Sequence, residues 1–427
     1  MFKVLVIAYY FPPMGLSGVQ RTLKFTKYMS KFNWKPTVVT AGATAYYAHD
    51  ESLLMEAEES DIEIIRTSAL DPGSFLAALG TLKMPREFIR KFLSKISKTL
   101  FIPDNKISWA KAAYIKSREL LQQNQFDAIF VTIPPFSSFV YAAKLKEEFK
   151  IPLFVDYRDL WVGNQFSFIP TPYHLYKHKK LEYNALRKAD KVFVTNRKIK
   201  EVILKQYQFL SFKDVDIVPH GYDPEDFEKN PPFKREDDKI RITYAGIFYE
   251  NITPKYLLHS LRELLNERPE IASKFEFHFI GHFRTENKKI VKKLNLEHYV
   301  IEHEYLSHNH VIKHIMASDI LWVMLGVGKG MDTISLGKLY EYFNTRKPIL
   351  ACLPEGASKF AVEEYGAAFI CPPDDKTEIK KQLILIYEAY QNKVLPKPNL
   401  DFVERHNRIF LTEQITTEFQ FFLKEQR

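Results

Sequence analysis

Cysteine is almost missing from this sequence: the 427 residues hold two, Cys352 and Cys371. Each closes an apolar segment, Ile349-Leu350-Ala351-Cys352 and Phe369-Ile370-Cys371, which reads as two small buried hydrophobes. A disulfide framework is excluded, and no Cys/His spacing of a zinc site is present. The expected compartment is therefore reducing, and the expected location cytoplasmic. Long apolar runs are lacking too. Ile320–Val327, the longest late in the chain, is far short of the about 20 residues that span a bilayer. The opening run Met1–Ala8 is cut off by Pro12-Pro13. It is too short for a signal-peptide core with its cleavage site and reads as a buried first strand. There is no charged tail either, because the net charge of +9 is spread along the whole chain. Such a surface suits phosphorylated ligands or anionic lipid. Without zinc-finger spacing or an aromatic ribonucleoprotein motif, nucleic acid is not the expected partner. The acidic pairs Asp237-Asp238 and Asp374-Asp375 lie in polar or proline-led segments and read as solvated loops.

What is present is ordinary globular composition, 46% hydrophobic and 26% charged, in a chain long enough for two domains. Short Val- and Ile-rich runs alternate with helical patterns. In the first half the strands are expected at Lys3–Tyr9, Pro36–Ala41, Ile62–Arg66, Ala128–Thr132, Pro152–Val155, Val192–Thr195 and Val215–Val218. Helices are expected at Gly18–Lys31, Ser108–Asn124, Ser137–Phe149 and Pro172–Lys188. A second set follows the polar stretch Tyr222–Lys239, with strands at Ile240–Ala245, Phe275–Ile280, Tyr299–His303, Ile320–Leu325, Pro348–Cys352 and Ala367–Ile370. Apolar strands alternating with helices predict parallel sheets covered on both faces. Two such runs, with a break near residue 230, predict two doubly wound α/β domains.

Ligands of such sheets bind beyond the carboxyl ends of the strands, which directs attention to four segments. The loop Tyr9–Arg21 carries Gly15 and Gly18 ahead of a helix. It fits either close backbone approach to an anion or a plain strand-to-helix turn. In Gly337-Lys338-Leu339-Tyr340-Glu341-Tyr342-Phe343, Lys338 and Glu341 share one helical face while Leu339, Tyr342 and Phe343 can fill the core. The pair fits a phosphate and a ribose, or a simple surface ion pair. Asp156-Tyr157-Arg158-Asp159 places three charges directly after a buried strand, where ligand contact or an ion-pair network is expected. His220, in Val218-Pro219-His220-Gly221-Tyr222-Asp223, is either a cleft residue or a capped loop histidine.

Taken in order, these segments resemble bacterial glycosyltransferases of family 4, in particular the branch of surface-polysaccharide clusters. The likeness also runs through Asn33–Thr40, Pro103-Asp104 with Trp109, Pro134–Ser138, Tyr244-Ala245-Gly246, Phe279-Ile280-Gly281 and Ala317-Ser318-Asp319. The resemblance implies the GT-B fold, with two Rossmann-like domains facing across a cleft. An acceptor domain would span residues 1–220, a donor domain 221–400, and a helix over 401–427 (Asp401–Lys424 at its centre) would return to the first domain. It implies an enzyme that transfers a sugar from a nucleoside diphosphate sugar, with retention, to a lipid-linked or polysaccharide-precursor acceptor. Glu341 matches the ribose-binding glutamate, and Lys338 lies near the diphosphate. The donor-binding set is Gly15, Gly18, His220, Gly246, Lys255, Lys338, Leu339 and Glu341. Arg158 and Asp159 are the catalytic candidates, Asp159 orienting the acceptor hydroxyl. Because a nucleoside diphosphate is a good leaving group, positioning and charge neutralisation suffice, and neither metal nor further cofactor is expected.

The sequence departs from the family pattern in three places. Thr333 stands where a first glutamate precedes Glu341. Only Lys255 can supply a cation after Gly246. His220 replaces an asparagine. A nucleotide-sugar epimerase and a non-catalytic nucleotide-sugar-binding subunit remain the alternatives. Leu82–Ile102 sets Phe88, Ile89, Phe92, Leu93, Ile96 and Leu100 at helical spacing among Lys83, Arg86, Arg90, Lys91, Lys95 and Lys98. That pattern fits an anionic lipid surface or an ordinary core-facing helix, and it motivates a peripheral place on the inner membrane face.

Overall fold

The computed structural model describes residues 1–15, 17–42, 48–67, 87–163, 168–235, 237–249 and 251–425, with backbone alone for 17 and 87–91. The chain divides into two compact units, the first Met1–His220 with the helix Arg408–Glu425, the second Gly221–Asn407. The break expected near residue 230 thus falls earlier, at His220–Gly221.

In unit 1 the strands are β1 (Phe2–Ile7), β2 (Trp34–Ala41), β3 (Glu63–Thr67), β4 (Ala128–Ile133), β5 (Leu153–Tyr157), β6 (Lys191–Val194) and β7 (Val215–Ile217). Their order is β3-β2-β1-β4-β5-β6-β7, and every pairing is parallel. All six residues of β4 are buried. This is why its sequence is an unbroken apolar run rather than an alternating one: both faces are covered. The order reverses between β1 and β4, so the ligand-binding crevice of such a sheet opens beyond the carboxyl end of β1.

Unit 2 repeats the plan with β8 (Ile240–Ala245), β9 (Phe275–Ile280), β10 (Val300–His303), β11 (Ile320–Met324), β12 (Ile349–Cys352) and β13 (Ala368–Cys371), ordered β10-β9-β8-β11-β12-β13. These pairings are parallel as well. Here the reversal lies between β8 and β11, which directs attention to the end of β8. Cys352 and Cys371 sit side by side on β12 and β13, buried and free.

The expected single helix Asp401–Lys424 is two helices, Leu400–Glu404 in unit 2 and Arg408–Glu425 in unit 1. The interruption has a cause. The Tyr222 N–H donates to the His406 carbonyl at 3.0 Å, and Tyr222 pairs with Asn407 as an isolated parallel bridge, so the chain leaves its helical path there. The last helix then inserts Phe419 into unit 1. Its ring stacks on Phe154 at 4.1 Å and meets Trp34 edge-on at 5.3 Å. Burial of one such ring stabilises by about 1.5–3 kcal/mol.

Candidate functional site

In unit 1, β1 feeds a loop that enters the helix Ser17–Met29. The Gly15 N–H donates to the Ala48 carbonyl at 2.8 Å. One turn into the helix, Arg21 is fully buried and grips Asp156 at the end of β5, Nη2 to Oδ1 at 2.8 Å with Nε at 3.0 Å from both oxygens. Thr132 adds a bond to the same carboxylate at 3.1 Å. The remaining Arg21 donors reach the carbonyls of Val218 and Pro219 at 2.9 and 2.7 Å. Arg21–Asp156 therefore locks the first helix, β5 and the strand-end segment before His220 into one frame. A satisfied buried pair of this kind fixes geometry more than it adds stability.

Arg158 is held in the same way. Its guanidinium donates to the carbonyls of Gly18, Ile133 and Pro134, which makes it a clamp between two loops. Asp159, next in sequence, is half-buried and accepts no hydrogen bond among the described residues. Desolvation raises its pKa, with Arg158 opposing and Asp156 reinforcing the shift. A carboxylate left open beside two fully engaged neighbours suits binding a hydroxyl from a ligand. His220 is held well below the ordinary histidine range by burial and then by the guanidinium groups of Arg21, Arg408 and Arg158, so it is a neutral imidazole at pH 7.

In unit 2, Gly246 directly follows β8 with φ 143°, a left-handed conformation that favours glycine. A Cβ there would stand 2.3 Å from Lys338 Nζ. Gly281, after β9, abuts Gly246 in turn, and a Cβ on it would meet the Gly246 carbonyl at 2.7 Å. The two strand ends are thus closed to any side chain. Lys338 opens the helix Gly337–Asn344, whose apolar face (Leu339, Tyr342, Phe343) is buried. The Tyr342 hydroxyl accepts from the Ala245 N–H at 2.9 Å, tying this helix to the end of β8. Lys338 Nζ sits 3.8 Å from the centre of the Tyr244 ring, a cation–π contact. Burial lowers its pKa to about 7, with Glu341 opposing the shift. One turn on, Glu341 Oε1 is 3.9 Å from His308 Nε2, which bonds Asp226 at 3.0 Å.

The ten residues singled out in the sequence are thus divided. Unit 1 holds Gly15, Gly18, Arg158, Asp159 and His220; unit 2 holds Gly246, Lys255, Lys338, Leu339 and Glu341. Gly18 meets Arg158, and Gly246 meets Lys338. Leu339 turns into the core at 1% exposure, so its side chain offers a ligand nothing and the polar face belongs to Lys338 and Glu341. Lys255 begins the helix Lys255–Glu267, exposed, with its ammonium near the Tyr256 ring. Among the described residues it forms no ion pair or hydrogen bond with the Lys338 group. Thr333, in the place of the missing glutamate, donates its hydroxyl to the Gly330 carbonyl at 2.9 Å. Sequence reading missed Tyr244 under Lys338, and His308 with Asp226 behind Glu341. Tyr244 stands in the family-like stretch Tyr244-Ala245-Gly246, but its place under Lys338 comes from the fold; His308 and Asp226 lie in none of the family-like segments and come from two separate helices.

Residues 25–226 match the family model Glycosyltransferase Family 4. This is a family 4 glycosyltransferase domain. Solved structures add the fold. Sucrose-phosphate synthase from Thermosynechococcus elongatus superposes with a TM-score of 0.67 at 14% identity, over 100% of both chains. The apo lipopolysaccharide outer core galactosyltransferase WaaB gives 0.56 at 15%, over 97% of this chain and 98% of that one. A Listeria monocytogenes protein assigned by inference as a UDP-N-acetylglucosamine 2-epimerase gives 0.58 at 13%, over 99% and 97%. No curated protein matches the chain significantly. The glycosyltransferase therefore has the GT-B architecture, with the family match covering most of unit 1 and the Lys338–Glu341 group standing outside it, on unit 2. No helix among the described residues is long and apolar enough to cross a membrane.

Proposed function

We propose that this glycosyltransferase takes its sugar from a nucleoside diphosphate sugar and delivers it, with retention, to a lipid-linked or polysaccharide-precursor acceptor. The observation that carries the donor assignment is Lys338. Its ammonium lies at a helix N-terminus, on the face of Tyr244, against a glycine that alone leaves room there. A diphosphate fits that place by charge and by the free N–H groups of the helix start. Glu341, one turn on, is placed to accept both ribose hydroxyls. The name of the Listeria neighbour, with a UDP-sugar in it, supports a nucleotide sugar on this fold.

In the reaction the acceptor hydroxyl attacks the anomeric carbon, the bond to the diphosphate oxygen breaks, and the proton passes to that leaving oxygen. Lys338 and the helix start neutralise the charge that develops there. Before the attack Asp159 accepts a hydrogen bond from the acceptor hydroxyl and orients it; the proton then turns to the leaving oxygen as the bond to the diphosphate breaks. Asp159→Asn should then lower turnover ~100-fold or more while nucleotide affinity stays unchanged. Full turnover in a folded variant removes the role.

The acceptor's setting is drawn from two helices of unit 1. Part of the segment Leu82–Ile102 lies outside the described residues, including Lys83 and Arg86; the side chains of Phe88, Ile89, Arg90 and Lys91 do as well. The remainder of the helix Glu87–Leu100 exposes Phe92, Leu93, Ile96 and Leu100, the last at 70%. The helix Pro172–Leu186 is joined to it by His174 Nε2 and the Thr99 carbonyl at 3.1 Å and exposes Tyr173 and Tyr176. Lys95, Lys177 and Lys180 lie over the rings of Phe168, Tyr173 and Tyr176. Exposed apolar rings with interleaved lysines suit the interface of an anionic leaflet. Co-sedimentation with vesicles should rise with anionic lipid content and fall in a Phe92→Ser/Leu100→Ser variant; equal pelleting with neutral vesicles overturns this placement.

The donor assignment is tested by thermal unfolding with UDP, GDP, ADP and TDP. One nucleotide should raise the midpoint, and Glu341→Ala should remove the rise. No rise with any of the four favours the non-catalytic reading that Thr333 suggests. Sugar isomerised or released without an acceptor favours an epimerase.

A further inference from the structure

Three histidines from two strands and a helix converge in unit 2, and none of their side chains belongs to the Lys338–Glu341 group. We infer that His278, His303 and His314 bind one divalent transition-metal ion of the zinc type.

His278 is buried on β9, His303 ends the neighbouring edge strand β10, and His314 comes from the helix His308–Met316. One ring nitrogen from each lies within 4.8 Å of the other two. The closest pair, His278 Nδ1 and His303 Nε2, is 2.9 Å apart, and the rings of His303 and His314 have centroids 4.6 Å apart. Nitrogens about 2.0–2.1 Å from a tetrahedral zinc stand roughly 3.3 Å from each other, so the separations within the trio need to change by a few tenths of an ångström up to about 1.5 Å.

The surroundings prepare the rings as ligands. His278 Nε2 bonds to Glu276, which is itself held by Arg241 Nε at 3.2 Å. That carboxylate keeps the proton on Nε2 and leaves the Nδ1 lone pair facing the other rings, the carboxylate–histidine–metal arrangement of bound sites. An ordinary imidazole is mainly uncharged at neutral pH. Neutral imidazole is the form that binds metal. His303 Nε2, the donor to His278 in the metal-free trio, moves its proton to Nδ1, and no proton need be released.

The ion ties the edge strand, its neighbour and a helix together. Its role is structural, and its position bears on the donor loop: the His303 carbonyl accepts from Gly281 N at 3.3 Å, and Gly281 is the residue packed against Gly246. A charge-neutral hydrogen-bonded trio is the competing explanation, and it binds no metal.

The test uses tag-free protein stripped with a chelator and titrated near neutral pH with cobalt(II) and zinc(II), against a chromophoric competitor. One ion per chain is expected, with visible ligand-field bands for cobalt. His303→Gln and His314→Gln, at half-buried positions, should each weaken binding at least ~10-fold, and Glu276→Gln by ~10–100-fold. Zinc should raise the wild-type unfolding midpoint and not that of the histidine variants. Absence of stoichiometric binding to wild type overturns the inference, whatever the variants do. So does binding that the two histidine variants, shown folded by circular dichroism, leave unchanged.

Discussion

If Lys338 receives the diphosphate, binding must bring a proton with it. Burial lowers this lysine to about 7, so at pH 7 about half of the free protein carries the ammonium and at pH 8 about one tenth. A bound diphosphate holds the charged form, because the opposite charge now lies in contact with it. Uptake is therefore about 0.5 proton at pH 7, about 0.9 at pH 8 and near zero at pH 6. At pH 8 the free nucleotide has no proton of its own to give up, so the number belongs to the protein. Calorimetric titration with the nucleotide that stabilises the protein, in two buffers of different ionisation enthalpy, reads it directly. Affinity should fall about tenfold per pH unit above pH 8. Lys338→Met should abolish the buffer dependence. It should also stabilise the nucleotide-free protein at pH 7 by ~0.5–2 kcal/mol, because it removes a cation from an apolar place. An enthalpy identical in the two buffers at pH 8, with binding intact, refutes the reasoning.

Three further outcomes follow from other parts of the structure. Gly246→Ala puts a methyl group where Lys338 Nζ now lies and forces a residue other than glycine to φ 143°. It should cost about 1–3 kcal/mol of stability and weaken nucleotide binding at least ~10-fold, read by the same thermal and calorimetric assays. Arg21→Met leaves Asp156 buried without its partner and should destabilise by about 3–5 kcal/mol in denaturant unfolding. Arg21→Met with Asp156→Leu should recover most of it. Glu182, buried and bonded to the Tyr157 hydroxyl, is raised by desolvation from 4.5 to about 7. The folded state then holds a proton that the unfolded state has lost, so stability falls as pH rises from about 4.5 to about 7. Glu182→Gln should flatten that slope in unfolding measured at pH 5, 6 and 7.

Much of the architecture was legible because parallel strands covered on both faces are written as continuous apolar runs. β4 and β11 are read almost to the residue for this reason. The three-residue spacing put Lys338 and Glu341 on one helical face, a local signal, but it fits a surface ion pair equally well, and their donor-binding role was drawn from the family resemblance. Contacts made by strand order were not. Tyr244 reaches Lys338 only because β8 lies at the centre of its sheet, and His278 meets His303 only through the register of β9 with β10. Arg158 shows a different limit. Its place in a charged motif was visible, but its engagement by three backbone carbonyls, which separates it from Asp159, depends on loops remote in sequence. The helix expected from Asp401 failed at Arg405–Asn407 because Tyr222, remote in sequence, captures the chain there through an isolated bridge to Asn407.

The way the first unit is assembled from both ends of the chain has a consequence for synthesis. Strands β1 to β7 emerge from the ribosome early, yet the aromatic socket around Phe154 and Trp34 stays open until Phe419 is translated. Unit 2 is complete before that. A nascent chain stalled near residue 407 would therefore carry a finished second unit beside an unfinished first. It is the earlier-made half, with an apolar socket still uncovered, that depends longest on chaperone protection.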